Sequence, residues 1–235
     1  GYIFDESSNK INLLSNSELI PCWAIRCDKE FLVNRGGALS YISDKKILVI
    51  GCGSIGSYLI NELVKTGINN IDIVDGDLLN EENIYRHLLG MEYVGNYKTT
   101  AIADFFNKNI PGLNIVSYSD YIEDAINDSG ISLSEYDLVI SAVGNHNLNR
   151  WINESMHIEE IKVPVIYSWN EVLGIGNHVA FISSSHKGCY ECFFGNSKES
   201  IYDKTSYCEK GQTFIKRVRG CSSAYLPFRS TNSIT

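Results

Sequence analysis

Five polar side chains crowd one short stretch, VDGDLLNEENIYRHLLG at residues 74–90: Asp75, Asp77, Asn83, Arg86 and His87. They follow a glycine-rich turn, VIGCGSIGSYL, that fits G-x-G-x-x-G through Gly51, Gly53 and Gly56. In such a turn the first glycine allows the tight bend, the second lets a phosphate approach and the third packs helix on strand. The helix that follows presents free N–H groups and a positive dipole end to an anion. Asp75 lies 75 − 53 = 22 residues after Gly53, where an acid that holds ribose hydroxyls is expected. A hydride-transfer enzyme needs that acid and has no use for the rest. Cleavage of the α–β phosphate bond of ATP does need them: Arg86 and Lys98 can stabilise charge on phosphates, and Asp77 can hold Mg²⁺.

Those residues must be carried by alternating strands and helices. KKILVIGCG is a continuous apolar run ending in glycine, as a buried parallel strand should be. SIGSYLINELVKTG places Ile55, Leu59, Leu63 and Val64 on one helical face, with Gly67 to close it. NIDIVD predicts a second strand, TTAIADFFNKN a helix halted by Pro111, and NIVSYSDYI a third strand. YDLVISAVG, VPVIYSW and GIGNHVAFIS predict three more, with LNRWINESMHIEEI as a helix between the first two. Upstream, CWAIRCDKEFLV reads as a strand and NRGGALSYIS as a turn into a short helix. The alternation predicts an α/β fold, a doubly wound, mainly parallel, Rossmann-like sheet. We divide the chain into an N-terminal extension at 1–44, a nucleotide-binding domain at 45–182, and a long cysteine-bearing segment at 183–235 where periodicity disappears.

Net charge is 20 − 28 = −8 and KRVRG at 216–220 is the longest basic run, which argues against a nucleic-acid partner. No apolar run reaches the length of a membrane span, and no signal peptide is seen. Seven cysteines with a single close pair, Cys189 and Cys192, point to a reducing cytoplasm and to thiols kept for chemistry or metal.

The series G-x-G-x-x-G, D-x-D, Asn six residues on, Arg three further and Lys twelve after that resembles the ThiF/MoeB/HesA family, which includes the adenylation domains of ubiquitin-activating enzymes. NIYRHLLG is similar to the bacterial fusions of a conjugating-enzyme domain to an activating domain found in CBASS anti-phage systems. A conjugating domain upstream would fit the start at GYIF, without Met. The resemblance implies ATP binding by Gly51, Gly53, Ser54, Gly56, Asp75, Asp77, Asn83, Arg86 and Lys98, with Mg²⁺ at Asp77. It implies adenylation of the C-terminal carboxylate of a ubiquitin-like protein, then thioester formation and transfer to a conjugating enzyme. It also implies a homodimer, with Arg35 as the arginine donated across the interface.

GCYECFF resembles half of the family's four-cysteine zinc site, making Cys189 and Cys192 candidate Zn²⁺ ligands; a reduced, relic pair is the alternative. For the thioester, GCSSAYLPF resembles the catalytic-cysteine stretch of the fusions. Cys221 stands close to Arg217 and Arg219, which favour a thiolate. Cys208 is the alternative, disfavoured by Glu209 beside it. One departure is plain: Gly144, in SAVGNHNLNR, falls where the family places an Asp that positions Mg²⁺. Asn145 and His146 are the neighbouring substitutes, and Asp77 with water is the other solution. Three further readings stay open: a sulfur-carrier adenylyltransferase with no thioester of its own, a nicotinamide oxidoreductase that leaves Arg86 and Lys98 idle, and a non-catalytic scaffold favoured by Gly144.

Overall fold

Alternate residues of the first apolar strand face opposite ways, and each side finds its own core. Ile47 and Val49 pack with Ile60 and Val64 and with Ile102 and Phe106, whereas Leu48 and Ile50 pack with Ile122, Ile152 and Met156. A strand buried on both faces is what a doubly wound sheet requires. The computed structural model describes residues 2–5, 10–13, 22–37, 40–185, 187–196, 201–208, 212, 214, 216–217 and 224–225. Its central sheet comprises β1 (Lys46–Ile50), β2 (Asn70–Val74), β3 (Asn114–Tyr118), β4 (Leu138–Ser141), β5 (Val165–Asn170) and β6 (Asn177–Ile182), in the spatial order β3-β2-β1-β4-β5-β6. The first five are parallel, and β6 pairs antiparallel with β5.

Four helices connect the parallel strands: α2 (Gly56–Lys65), α3 (Lys98–Asn109), α4 (Ile122–Asn127) and α5 (His146–Ile158). The buried face of α2 runs through Gly56, Ser57, Ile60 and Val64, one step round from the face read in the sequence, with Leu59 and Leu63 packed at its flank. Gly67, at φ 95°, follows the helix end as expected of its type. Upstream the sequence misleads. CDKEFLV is no strand: Lys29–Arg35 is a helix, α1, capped by Asp28, whose Oδ1 accepts the Phe31 N–H at 3.1 Å. None of its residues is buried, so no core stripe marked it.

The order of strands reverses between β1 and β4, and the turns after those two strands face each other across the crevice where open α/β sheets bind ligands. Beyond β6 come only short elements among the described residues, such as Phe194–Asn196 paired antiparallel with Ile201–Asp203. Cys221 and Arg219 lie outside the described residues, as does the side chain of Arg217. Among the described residues, no helix is long and apolar enough to cross a membrane.

Candidate active site

The glycine turn is built to leave its backbone exposed to a ligand. Gly51 has φ 90°, and a Cβ there would stand 2.7 Å from Val143 Cγ1. A Cβ on Gly56 would collide with the Gly51 carbonyl oxygen, so helix and turn can close only on glycine. At Gly53 a Cβ would meet nothing, which leaves open space on the cleft side. Ile55, at the N-cap of α2, offers no side-chain cap, so the positive end of the helix stays open to an anion, although the Ser57 N–H is taken by the Gly53 carbonyl at 2.9 Å.

Asp75 stitches this turn to the end of β2. Its Oδ2 accepts the Cys52 N–H at 2.7 Å and its Oδ1 the Asp77 N–H at 2.9 Å. Asp77 is half-exposed, accepts from Lys98 Nζ at 2.7 Å and lies 3.4 Å from the Tyr121 hydroxyl. Lys98 opens α3 and is buried, with Asp75 Oδ1 at 3.9 Å as a second counter-charge. Asn83 sits in the 3-10 turn Glu81–Arg86, where its Oδ1 accepts the Asn80 N–H at 3.0 Å. That leaves its NH₂ as the group to offer an anion.

His87 is a structural member of this wall. Its Nδ1 accepts the Leu89 N–H at 3.1 Å, which makes Nε2 the protonated nitrogen, donating to the Cys52 carbonyl at 2.9 Å. Burial lowers its pKa, and Lys98 adds to the effect, so the ring is neutral and pins the segment 86–89 to the glycine turn. The sequence suggested either nucleotide contact or packing; the hydrogen bonds are those of packing.

Two adjoining clefts result. One, of about 320 Å³, is lined by Gly53, Ser54, Asn83, Arg86, Lys98, Gly144 and Glu171. The other, of about 570 Å³, is lined by Gly51, Asp75, Asp77, Tyr121 and Asn145. The first collects the donors suited to phosphates and the second holds the acid suited to ribose. All nine residues expected to bind ATP thus border this crevice or close it. Arg35 is exposed at the last turn of α1 and lines neither cleft.

Neither neighbour of Gly144 replaces the carboxylate missing there. Asn145 caps α5, its Oδ1 accepting from Asn147 N at 3.0 Å and Leu148 N at 3.3 Å. His146 Nδ1 is bonded to the Tyr190 hydroxyl at 2.7 Å. Asp77, half-exposed, is one of several acids on the second cleft, which Asp120, Glu123 and Asp124 also line. The Cys189 and Cys192 sulfurs are 3.8 Å apart, the spacing that two thiolates take on one tetrahedral zinc at Zn–S distances of about 2.3 Å. Among the described residues, however, no group of three or more His, Cys, Asp or Glu could hold a metal. The pair alone does not make a metal site.

Glu171 was not singled out in the sequence. Its signal was position: an acid at the carboxyl end of a parallel strand, where such sheets place functional groups.

The sequence pattern of the ThiF family matches residues 31–218, most of the chain. The chain belongs to the ThiF family. The "ATP-dependent ubiquitin transferase-like protein Cap2" of Pseudomonas aeruginosa is 28% identical over 226 residues, covering 92% of this chain and 39% of that protein. The "NEDD8-activating enzyme E1 catalytic subunit" of Dictyostelium discoideum is 28% identical over 162 residues, covering 64% of this chain and 36% of that one. Among solved structures, Escherichia coli MccB with MccA superposes with a TM-score of 0.57 at 25% identity, over 72% of this chain and 48% of MccB. The chain resembles these relatives across its ThiF-family region. It spans about two-fifths of the length of the Cap2 relative.

Proposed function

We propose that the domain uses Mg·ATP to adenylate the C-terminal carboxylate of a ubiquitin-like protein and then passes the acyl group to a cysteine. The observation that carries this reading is the meeting of Asn83, Arg86, Lys98 and the uncapped start of α2 on one cleft, beside the ribose-facing Asp75. The partner's carboxylate oxygen attacks the α-phosphorus and pyrophosphate leaves, giving acyl-AMP. Arg86 and Lys98 balance the charge that builds on the leaving phosphates, and the α2 N-terminus orients them. Asp77 would hold Mg²⁺, which supplies further charge neutralisation when bound.

In the second step a thiolate attacks the acyl carbon and AMP leaves. We assign this thiol to Cys221, on its neighbouring arginines and its resemblance to the fusion enzymes. The thioester would then pass to a conjugating-enzyme cysteine. A homodimer with Arg35 reaching the partner's cleft, a cytoplasmic location and a role in anti-phage defence complete the proposal. The name of the Pseudomonas relative, an ATP-dependent ubiquitin transferase-like protein, supports the substrate class. A scaffold without catalysis is favoured by one observation, the absence of a carboxylate at Gly144.

ATP–pyrophosphate exchange with candidate partner proteins tests the reading. Exchange lost in Arg86→Ala and kept in Cys221→Ala separates adenylation from thioester formation. No exchange with any candidate, from folded protein, selects the scaffold.

A further inference from the structure

Glu171 has two allegiances. Glu171 lines the phosphate cleft together with Arg86 and Lys98, yet every hydrogen bond described for its carboxylate is made with the β5–β6 hairpin or the chain beyond it. Oε1 accepts the Tyr207 N–H at 3.2 Å and pairs with His178 Nε2 at 3.1 Å. Oε2 accepts the Ser206 hydroxyl at 3.3 Å and the Cys208 thiol at 3.6 Å. Aromatic rings support the same contact: Trp169 stacks on His178 at 4.9 Å and His178 on Tyr207 at 5.6 Å. The Tyr207 ring lies so close to Gly176 that a Cβ there would stand 2.5 Å from it. Only a tenth of the Glu171 side chain is exposed.

A carboxylate on the wall of a cleft made for phosphates is a cost to nucleotide binding unless it does something there. We propose that Glu171 is a positioning residue that docks the Ser206–Cys208 turn against the cleft and makes that docking responsive to phosphate. This rests on the cleft being the ATP site, as proposed above. In the empty cleft the carboxylate holds the turn. A triphosphate brings several negative charges to the same wall, repels the carboxylate and weakens its grip on the Tyr207 N–H and the Ser206 hydroxyl. Cys221 lies 221 − 208 = 13 residues after Cys208, a contour of at most about 47 Å. Release of the turn would free the start of the segment that carries the proposed acceptor thiol at the moment nucleotide arrives.

Hydrogen exchange over residues 203–208 of the full chain tests this, with Mg·AMPCPP as a probe that cannot transfer its nucleotide. In wild type the Tyr207 amide is protected without nucleotide, and its exchange should accelerate on the order of tenfold when the probe binds. In Glu171→Ala, which leaves the Tyr207 N–H no acceptor at this position, exchange should be fast from the start and unmoved by the probe. Protection in Glu171→Ala equal to wild type overturns the docking. A wild-type rate unmoved by the probe, with its binding verified by calorimetry, overturns the coupling. No binding at all overturns the nucleotide reading of the cleft and the coupling with it, while the nucleotide-free comparison still decides the docking.

Discussion

Lys98 Nζ lies 2.7 Å from Asp77 Oδ2 and 3.9 Å from Asp75 Oδ1, with nine-tenths of its side chain out of solvent. The cation thus sits against the two acids proposed for ribose and Mg²⁺, closest to Asp77, and offsets part of their charge. In the proposed ATP complex a phosphate would take the ammonium and Mg²⁺ would take Asp77. The residue proposed to stabilise phosphate charge is thus the one that also reduces like-charge repulsion between Asp75 and Asp77.

Lys98→Ala should therefore lower kcat/KM for ATP–pyrophosphate exchange by on the order of a hundredfold or more, the scale of one lost charge-stabilising contact. Initial rates over an ATP titration measure it. Unchanged kcat/KM would place the phosphates away from α3.

Gly144 can be given back the carboxylate that the rest of the family resemblance leads one to expect. A Cβ there meets nothing within 4 Å, and its φ is not in the left-handed region. Gly144→Asp should fold normally and reduce the Mg²⁺ concentration needed for half-maximal exchange. The gain should be several-fold, since one added carboxylate contributes on the order of 1 kcal/mol at an exposed site. A higher Mg²⁺ requirement would mean that the incoming acid repels the phosphates and that the metal sits nearer Asp77.

How much of this was legible depended on sequence distance. The turn Gly51–Gly56, Asp75 and the groups up to Lys98 stand on one β-α-β run whose periodicity predicts where each falls. Glu171 joins the cleft from β5, about seventy residues beyond Lys98, through strand order that no local pattern encodes. The role of His87 depends on a bond to a carbonyl 35 residues upstream, which composition cannot reveal. Helix α1 was misread because its apolar residues run consecutively as Phe31-Leu32-Val33; the informative signal was Asp28 as its cap.

Folding stability should fall in acid because of His87. Burial holds its folded-state pKa below the ordinary value, so the unfolded chain binds the proton more tightly. Stability is then full above the unfolded pKa of about 6.5 and declines as pH drops from there toward the folded pKa. His146, also lowered chiefly by burial, acts in the same direction. Urea melts at about pH 7 and about pH 5 should show the loss, and His87→Gln, which can still donate to the Cys52 carbonyl, should show a smaller one. An equal loss in both proteins would assign the slope to His146 or to other groups.

Tyr136 anchors the opposite end of the sheet. Its hydroxyl donates to the buried Asp72 carboxylate at 2.8 Å, and Lys46 covers its ring at 4.6 Å. Tyr136→Phe keeps the packing and removes the donor, leaving Lys46 Nζ, 3.5 Å away, as the remaining charged partner. A loss of about 1–3 kcal/mol in denaturant melts is expected, with ATP affinity unchanged, because Asp72 is mid-strand in β2 and its carboxylate is engaged with Tyr136 and Lys46, which line neither cleft. A matching loss of ATP affinity would show that strain in β2 reaches Asp75.

Thiol chemistry should separate the described cysteines by environment. Cys192 is exposed, and hydrogen bonds from Cys189, backbone first and then side chain, lower its pKa. Cys208 is pushed the other way by burial, with Glu171 adding to it. Cys52 is wholly buried in the glycine turn, and burial raises it further still. Iodoacetamide labelling of native protein, followed by peptide mass spectrometry, should therefore modify Cys192 well before Cys208 and reach Cys52 only on unfolding. With Cys52 spared, loss of thioester formation under mild alkylation would report on the accessible thiols, the exposed Cys22 and Cys27 included, and not on damage to the nucleotide turn. Labelling of Cys52 in native protein at the rate of Cys192 would contradict this, because it requires the turn, and with it the Asp75–Cys52 bond, to open on the timescale of the reaction.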